Sequence, residues 1–209
     1  MKNDLTEIGI VLDRSGSMEE MAKEAIGGIN AFLESQSKLP GEARLTLVLF
    51  DHEYLVVEAS RPIKEVAPLT AKTYVPRGTT ALRDAIGRTI MDIGARLDRT
   101  PEDFRPGKVI VAILTDGLEN ASKEFSARRI QLMINHQREK YAWEFIFLAA
   151  NQDAVVEGEK LGISADCAVT YAATPEGAAR AYNAVGLVVS AARANAPDFK
   201  THLKKAAKK

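Results

Sequence analysis

The strongest constraint in this chain is an alternation. Short, β-branched apolar runs bounded by turn residues take turns with segments whose apolar residues recur at helical spacing. Glu7 to Leu12 (EIGIVL) reads as a buried strand. Met18, Met21, Ala22, Ala25, Ile26, Ile29, Phe32 and Leu33 follow at helical spacing, an amphipathic helix that stops before Pro40-Gly41. Arg44 to Phe50 is a second strand. Asp51-His52-Glu53 is short enough for a hairpin turn, so Tyr54 to Ala59 is expected to fold back antiparallel as an edge strand. Residues 60 to 80 carry Pro62, Pro68 and Pro76 and read as irregular. Leu82, Ala85, Ile86, Ile90, Ile93 and Leu97 mark the next helix, and Lys108 to Leu114 (KVIVAIL) is the best candidate for a central parallel strand. A helix over 127–140, a strand from Trp143 to Ala149, a short helix over 154–161 stopped by left-handed Gly162, and a strand from Ala168 to Tyr171 follow. Thr174-Pro175-Glu176 opens a last, Ala-rich helix to about Asn195. The expected fold is α/β: a doubly wound, Rossmann-like, mostly parallel six-stranded sheet with one antiparallel edge strand and helices on both faces.

Composition narrows the class. The 209 residues are 46% apolar and 27% charged, which excludes a disordered chain, a collagen or a coiled-coil rod. A chain of this length can bury roughly 70% of its unfolded surface. One cysteine, Cys167, excludes an internal disulfide framework or a cysteine-built zinc site, and reads as a small buried residue. Formal net charge is zero, but residues 200 to 209 (KTHLKKAAKK) hold five lysines and no acid, leaving 23 bases against 28 acids in the body. Residues 1–199 are therefore expected to form one domain, with 200–209 as a basic, disordered tail. Asp4 and Glu7 interrupt the N-terminus and no apolar stretch suited to a signal peptide follows, so the expected compartment is the cytoplasm. The Asn120-Ala121-Ser122 sequon is then an accident of sequence. No run of about 18 apolar residues is present to span a bilayer.

In an open α/β sheet, ligands bind beyond the carboxyl ends of the strands where strand order reverses. The first strand ends in Asp13-Arg14-Ser15-Gly16-Ser17-Met18 and the central one in Thr115-Asp116-Gly117. If those strands are neighbours, Asp13 and Asp116 converge on one crevice. Pro76-Arg77-Gly78-Thr79-Thr80, just before a helix, brings further hydroxyls. Residues 13, 15 and 17 alternate, so an extended segment turns all three to one side, and Gly16 permits a tight turn between the serines. Carboxylates and hydroxyls without His or Cys make an all-oxygen set suited to a hard divalent cation, Mg²⁺ first, then Mn²⁺ or Ca²⁺.

These three clusters, in this order, resemble the metal-ion-dependent adhesion site (MIDAS) of the von Willebrand factor type A family, with the chain similar to an intracellular, bacterial-type stand-alone member. The family's Asp-x-Ser-x-Ser is met by Asp13, Ser15 and Ser17, its Thr loop by Gly78-Thr79-Thr80, and its strand-end Asp by Asp116. Thr79 stands where a second Gly is usual. Spacing to Ala85-Ile86 favours Thr80 as the ligand, with Thr79 as the alternative. The resemblance implies that Ser15 and Ser17 ligate the metal, Thr80 directly or through water, and that Asp13 and Asp116 hold coordinated waters and orient the serines. It further implies a partner protein whose Asp or Glu carboxylate completes the metal's shell, binding without catalysis, and the association with larger assemblies, ATPase machines among them, that intracellular members often have. Neither a specific nucleic acid nor a membrane is implied as partner.

Other readings compete. Asp13, Ser15 and Ser17 taken alone suit a turn and helix cap, and Asp116-Gly117 a type I turn. Glu119 reads as a solvated residue at a helix start or as an acid supporting the metal. Arg14 and Arg77 could rim the surface and attract an acidic partner, or form ordinary salt bridges. His52, His136 and His202 fall in a turn, a helix and the tail, away from any ligand pattern. Trp143, Met18, Met21, Met91 and Met133 read as core. Haloacid-dehalogenase-like phosphohydrolases also place an Asp after the first strand, but need an acid two residues later, where this chain has Ser15. No Gly-x-Ser-x-Gly elbow, Walker A loop or Gly-x-Gly-x-x-Gly fingerprint is present. A scaffold that binds through its helices or basic tail is the third reading.

Overall fold

Five apolar runs with no polar alternation can be satisfied only by a sheet covered on both faces, and a computed structural model, described here for residues 1–150, 153–196 and 203, builds that sheet. Six strands, β1 (Lys2–Asp13), β2 (Glu42–Phe50), β3 (Tyr54–Pro62), β4 (Pro106–Thr115), β5 (Glu144–Ala150) and β6 (Ala168–Tyr171), lie in the order β3-β2-β1-β4-β5-β6. All neighbours pair in parallel except β2 and β3. Helices α1 (Ala22–Ser37) and α5 (Pro175–Arg193) cover one face, packing on Ile8, Ile10 and Leu12 of β1 and Leu45, Leu47 and Leu49 of β2. Helices α2 (Leu82–Arg99), α3 (Ala127–Tyr141) and α4 (Ala154–Lys160) cover the other, on Val11, Val109, Val111, Ile113 and Phe147. No described helix is long and apolar enough to cross a membrane.

Local chemistry accounts for the boundaries. Thr174 caps α5 by accepting from Gly177 N at 3.1 Å with Pro175 at the first turn, and Gly162, at φ 85°, follows α4 as expected. Strand β1 begins five residues earlier than its apolar run, because Lys2 and Thr6 still pair with β4 and Leu5 and Thr6 with β2. Strand β3 extends to Pro62 through two bulges. Ser60 there adopts φ 52°, its N–H donating to Thr46 Oγ1 at 3.1 Å and its hydroxyl to Glu7 Oε2 at 2.8 Å. Glu7 is buried and also receives Arg96 Nη2 at 2.8 Å. Burial pushes its carboxyl above the usual range, opposed by Arg96, Thr46 and Ser60.

Two sequence expectations change. Met91 is 56% exposed, so it belongs to the surface, one helical step from buried Ile90; Met18 and Met21 are buried and Met133 partly so. Leu203, inside the expected tail, is helical and buried against the α1/α5 core, while the rest of 200–209 lies outside the described residues.

The α1/α5 contact depends on one glycine. A Cβ at Gly28 would lie 2.4 Å from Tyr182 Cγ, whereas one at Gly27 would meet nothing within 4 Å. Gly28→Ala is therefore expected to destabilise the fold by about 1–3 kcal/mol, and Gly27→Ala to stabilise it by up to about 1 kcal/mol through helix propensity. Thermal melts of the pair check this; equal shifts of the same sign would contradict the packing described.

Candidate metal site

The reversal of strand order falls between β1 and β4, and the two loops leaving those strands meet there. Asp13, the last residue of β1, is fully buried. Its Oδ1 accepts from Ser15 N at 2.6 Å and its Oδ2 from Thr115 Oγ1 at 2.5 Å. Ser15 is extended (φ −61°, ψ 168°), and a 3₁₀ turn (Gly16–Met21) follows. This places Ser15 Oγ and Ser17 Oγ 3.1 Å apart on one side of the loop. Ser17 Oγ then donates to Asp116 Oδ1 at 2.7 Å, joining the two loops across 99 residues of sequence.

Backbone hydrogen bonds bring in the third loop. Arg77 N donates to Arg14 O (2.8 Å), Gly16 N to Gly78 O (3.1 Å) and Ala81 N to Asp51 O (2.9 Å). Gly16 eases that approach: a Cβ there would make a tight contact, 3.3 Å from Gly78 O. Gly78 takes φ 67°, a conformation that favours glycine. Thr80 ends up 3% exposed and facing the cluster, while Thr79 is exposed.

The convergence has a measurable centre. A Cβ built on Gly117 would sit 2.9 Å from Thr80 Oγ1, 3.2 Å from Ser17 Oγ and 3.6 Å from Ser15 Oγ. Three hydroxyls from two loops thus surround one small space beside Gly117 of the third loop, which only a glycine leaves open. Asp13, Ser15 and Thr80 form its buried floor; Ser17 is exposed and Asp116 half-buried at its mouth. Among the described residues no group of three or more His, Cys, Asp or Glu side chains could hold a metal ion; the donor set here is two carboxylates and three hydroxyls. Neutral and anionic oxygens of this kind fit a small hard cation.

Electrostatics agree with that chemistry. Burial pushes the Asp13 carboxyl up to about 6, despite the hydrogen bonds from Thr115 and Ser15 that favour its charged form. Burial also raises Asp116, against the hydrogen bond from Ser17. Both carboxyls therefore sit in an environment short of positive charge. Tyr74 and Tyr171 lie beneath, donating to Asp13 O (2.6 Å) and Thr115 O (3.3 Å), and burial pushes both phenols well above their ordinary range.

Of the two readings of Arg14 and Arg77, the structure shows the ion pairs. Arg14 is 7% exposed, with Nε 3.1 Å from Asp51 Oδ2 in an ion pair without hydrogen-bond alignment. Arg77 Nε bonds the same oxygen at 2.9 Å, and its Nη2 reaches Glu53. The two arginines are consumed by two acids of the β2–β3 turn. Glu119 is neither solvated nor beside the serines. Burial alone would raise its carboxyl, but bonds from Ser122 Oγ, Arg83 N and Ser122 N, with the Arg83 charge, hold it below the usual range. In the sequence, Thr115 and Gly117 stand out only as neighbours of Asp116, and Asn120 only within a sequon, without a role in the site; for the first two, the alternation of buried and open positions at a strand end was the available signal.

With the geometry in place, likeness to known proteins can be judged. No protein-family profile and no curated protein matches the sequence. Solved structures do. Proximal thread matrix protein 1 from the mussel byssus, determined with a zinc-occupied MIDAS motif, aligns with TM-score 0.59 and 15% identity, covering 91% of this chain and 47% of that one. A von Willebrand factor type A protein from Catenulispora acidiphila aligns with TM-score 0.55 and 16% identity over 88% and 42%. The conserved hypothetical protein BatB from Bacteroides thetaiotaomicron gives 0.53 and 12% over 98% and 100%. The chain spans about half the length of the first of these. The fold is that of von Willebrand factor type A domains: five parallel strands, one antiparallel edge strand and helices on both sides.

Proposed function

We propose that this chain is a metal-ion-dependent protein-binding module. The observation that carries the reading is the convergence of Ser15, Ser17 and Thr80 hydroxyls beside Gly117, backed by Asp13 and Asp116. Ser15, Ser17 and Thr80 would hold a divalent ion, Mg²⁺ first and Mn²⁺ or Ca²⁺ as alternatives, and Asp13 and Asp116 would orient the serines and any coordinated water. A bound cation supplies a positive centre that accepts a carboxylate. The chain's own residues fix the hydroxyls, bury the floor of the site and leave its mouth open at Ser17 and Asp116. The partner is a protein offering an Asp or Glu side chain, and no bond is broken: position 15, where a phosphohydrolase would need its acid, is a serine. The zinc-occupied MIDAS of the mussel protein, on the same fold, supports the reading. Residues 1–199, with Leu203 packed on the α1/α5 core, act as the module, in the cytoplasm, and assembly with an ATPase complex is one setting consistent with it.

The test is thermal. In chelator-treated protein, Mg²⁺ or Mn²⁺ at a hundredfold excess over its Kd should add about 2.7 kcal/mol, on the order of 5–10 °C for a chain of this size. Ser15→Ala and Asp116→Ala should lose the rise. A variant that responds like the wild type removes its residue from the site.

A further inference from the structure

Helix α2 starts without a cap of its own. Its N-cap residue is Ala81, which makes no side-chain cap bond, yet the first N–H groups of a helix need acceptors. The loop after β4 supplies them. Glu119 Oε2 accepts from Arg83 N at 2.9 Å and Ser122 Oγ from Asp84 N at 3.1 Å. Just upstream, Asn120 Oδ1 accepts from Thr80 N at 2.9 Å, while Thr80 O accepts from Asn120 N at 3.0 Å and Ala121 N at 3.2 Å. The exchange is reciprocal. In the first turn of α2, the Asp84 carboxylate accepts from the N–H groups of Lys123 (2.8 Å), Glu124 (3.0 Å) and Phe125 (3.0 Å). Further along, the Phe125 ring presses on Gly87, where a Cβ would lie 2.8 Å away, and Arg88 Nε donates to Glu124 Oε2 at 3.0 Å. A capping box ordinarily joins residues three apart; this one is divided between two segments 36 to 41 residues apart.

The two segments are those that carry Thr80 and Asp116. We propose that Asp84, Glu119, Asn120 and Ser122 are positioning residues, a latch that locks the helix start bearing Thr80 to the loop bearing Asp116. The two loops then present their oxygens to a cation as a preset pair. The inference rests on the metal-binding reading above and adds to it what holds the site in shape before a cation arrives. Asn120 is the central element, since it grips Thr80 at both its N–H and its carbonyl. Groups that orient metal ligands without touching the metal commonly control affinity 10- to 100-fold.

Calorimetric Mn²⁺ titrations of Asn120→Ala and Asn120→Asp, in the wild-type and Thr80→Ala backgrounds, test this. Asn120→Ala should weaken Mn²⁺ binding by about tenfold, and Asn120→Asp, which keeps an acceptor for Thr80 N–H, should restore most of the loss. In the Thr80→Ala background the Asn120→Ala penalty should fall to about twofold or less, because the two residues act through one another. A purely structural role would lower the melting temperature without that interdependence. Equal penalties in both backgrounds, or unchanged affinity in Asn120→Ala, would overturn the latch while leaving metal binding intact. Failure of the wild type to take up Mn²⁺ would instead overturn the metal reading itself. Should Asn120→Ala fold poorly, Glu119→Gln, which retains one acceptor for Arg83 N–H, reads the same dependence.

Discussion

Asp13→Asn is expected to raise the melting temperature of metal-free protein at pH 7.5 and, in the same variant, to erase the response to Mn²⁺. The opposite signs come from one side chain. Asp13 is fully buried, and its carboxyl sits at about 6 in the folded chain against an ordinary value of 3.8. A group that holds its proton more tightly when folded contributes stability fully below pH 3.8, and that contribution is lost as the pH rises through about 6. Above that range the ionised carboxylate costs about 3 kcal/mol. The asparagine amide carries no charge, and its oxygen can still accept from Ser15 N. The gap between variant and wild type should therefore be small near pH 4 and widen to about 3 kcal/mol by pH 7.5. Thermal melts in chelator across that pH range read it directly. A gap that stays constant with pH, or reverses, would mean that Asp13 is not the strained charge described. In Mn²⁺ at a hundredfold excess over its Kd the gap should nearly close, because only the wild type gains from the cation, by about 2.7 kcal/mol.

Gly117→Ala is expected to abolish metal binding although it removes no oxygen donor. The added methyl would stand 2.9 Å from Thr80 Oγ1 and 3.2 Å from Ser17 Oγ, inside the space that the three hydroxyls surround. Gly117 does not occupy a left-handed conformation, so alanine is compatible with its backbone and stability without metal should change by about 1 kcal/mol or less. The expected pattern is a near-normal melt in chelator and no shift with millimolar Mg²⁺ or Mn²⁺. Retention of the wild-type response would place the ion elsewhere than between these hydroxyls.

Much of the fold was legible because each element carries its own periodicity. The run KVIVAIL at 108–114 is the best candidate for a covered central strand, and it lies in β4. The turn at 51–53 is too short for a crossover, which forces β3 to be antiparallel. The meeting of Asp13 with Asp116 follows from β1 and β4 being neighbours, and Ser15 and Ser17 follow from their alternation. What was illegible is long-range pairing. Nothing local to Arg14 reveals that Asp51 lies across the strand ends to receive it. The roles of Glu119 and Asn120 depend on backbone donors 36 and 40 residues away, at and just before the start of α2. Met91 shows the same limit in packing: its spacing matches the buried stripe, but it lies at the stripe's edge, where only the neighbouring helix decides exposure.

The bulged edge of the sheet bears on how copies of this chain meet one another. Strand β3 exposes Leu55 and Val56 on the outer margin, a surface that would invite another strand to zip on. Regular pairing along it never exceeds three consecutive positions, Ser60 bends the backbone into a left-handed turn, and Pro62 removes a donor at its end. An incoming strand would find no straight run to extend. These irregularities disfavour edge-to-edge pairing of copies along β3.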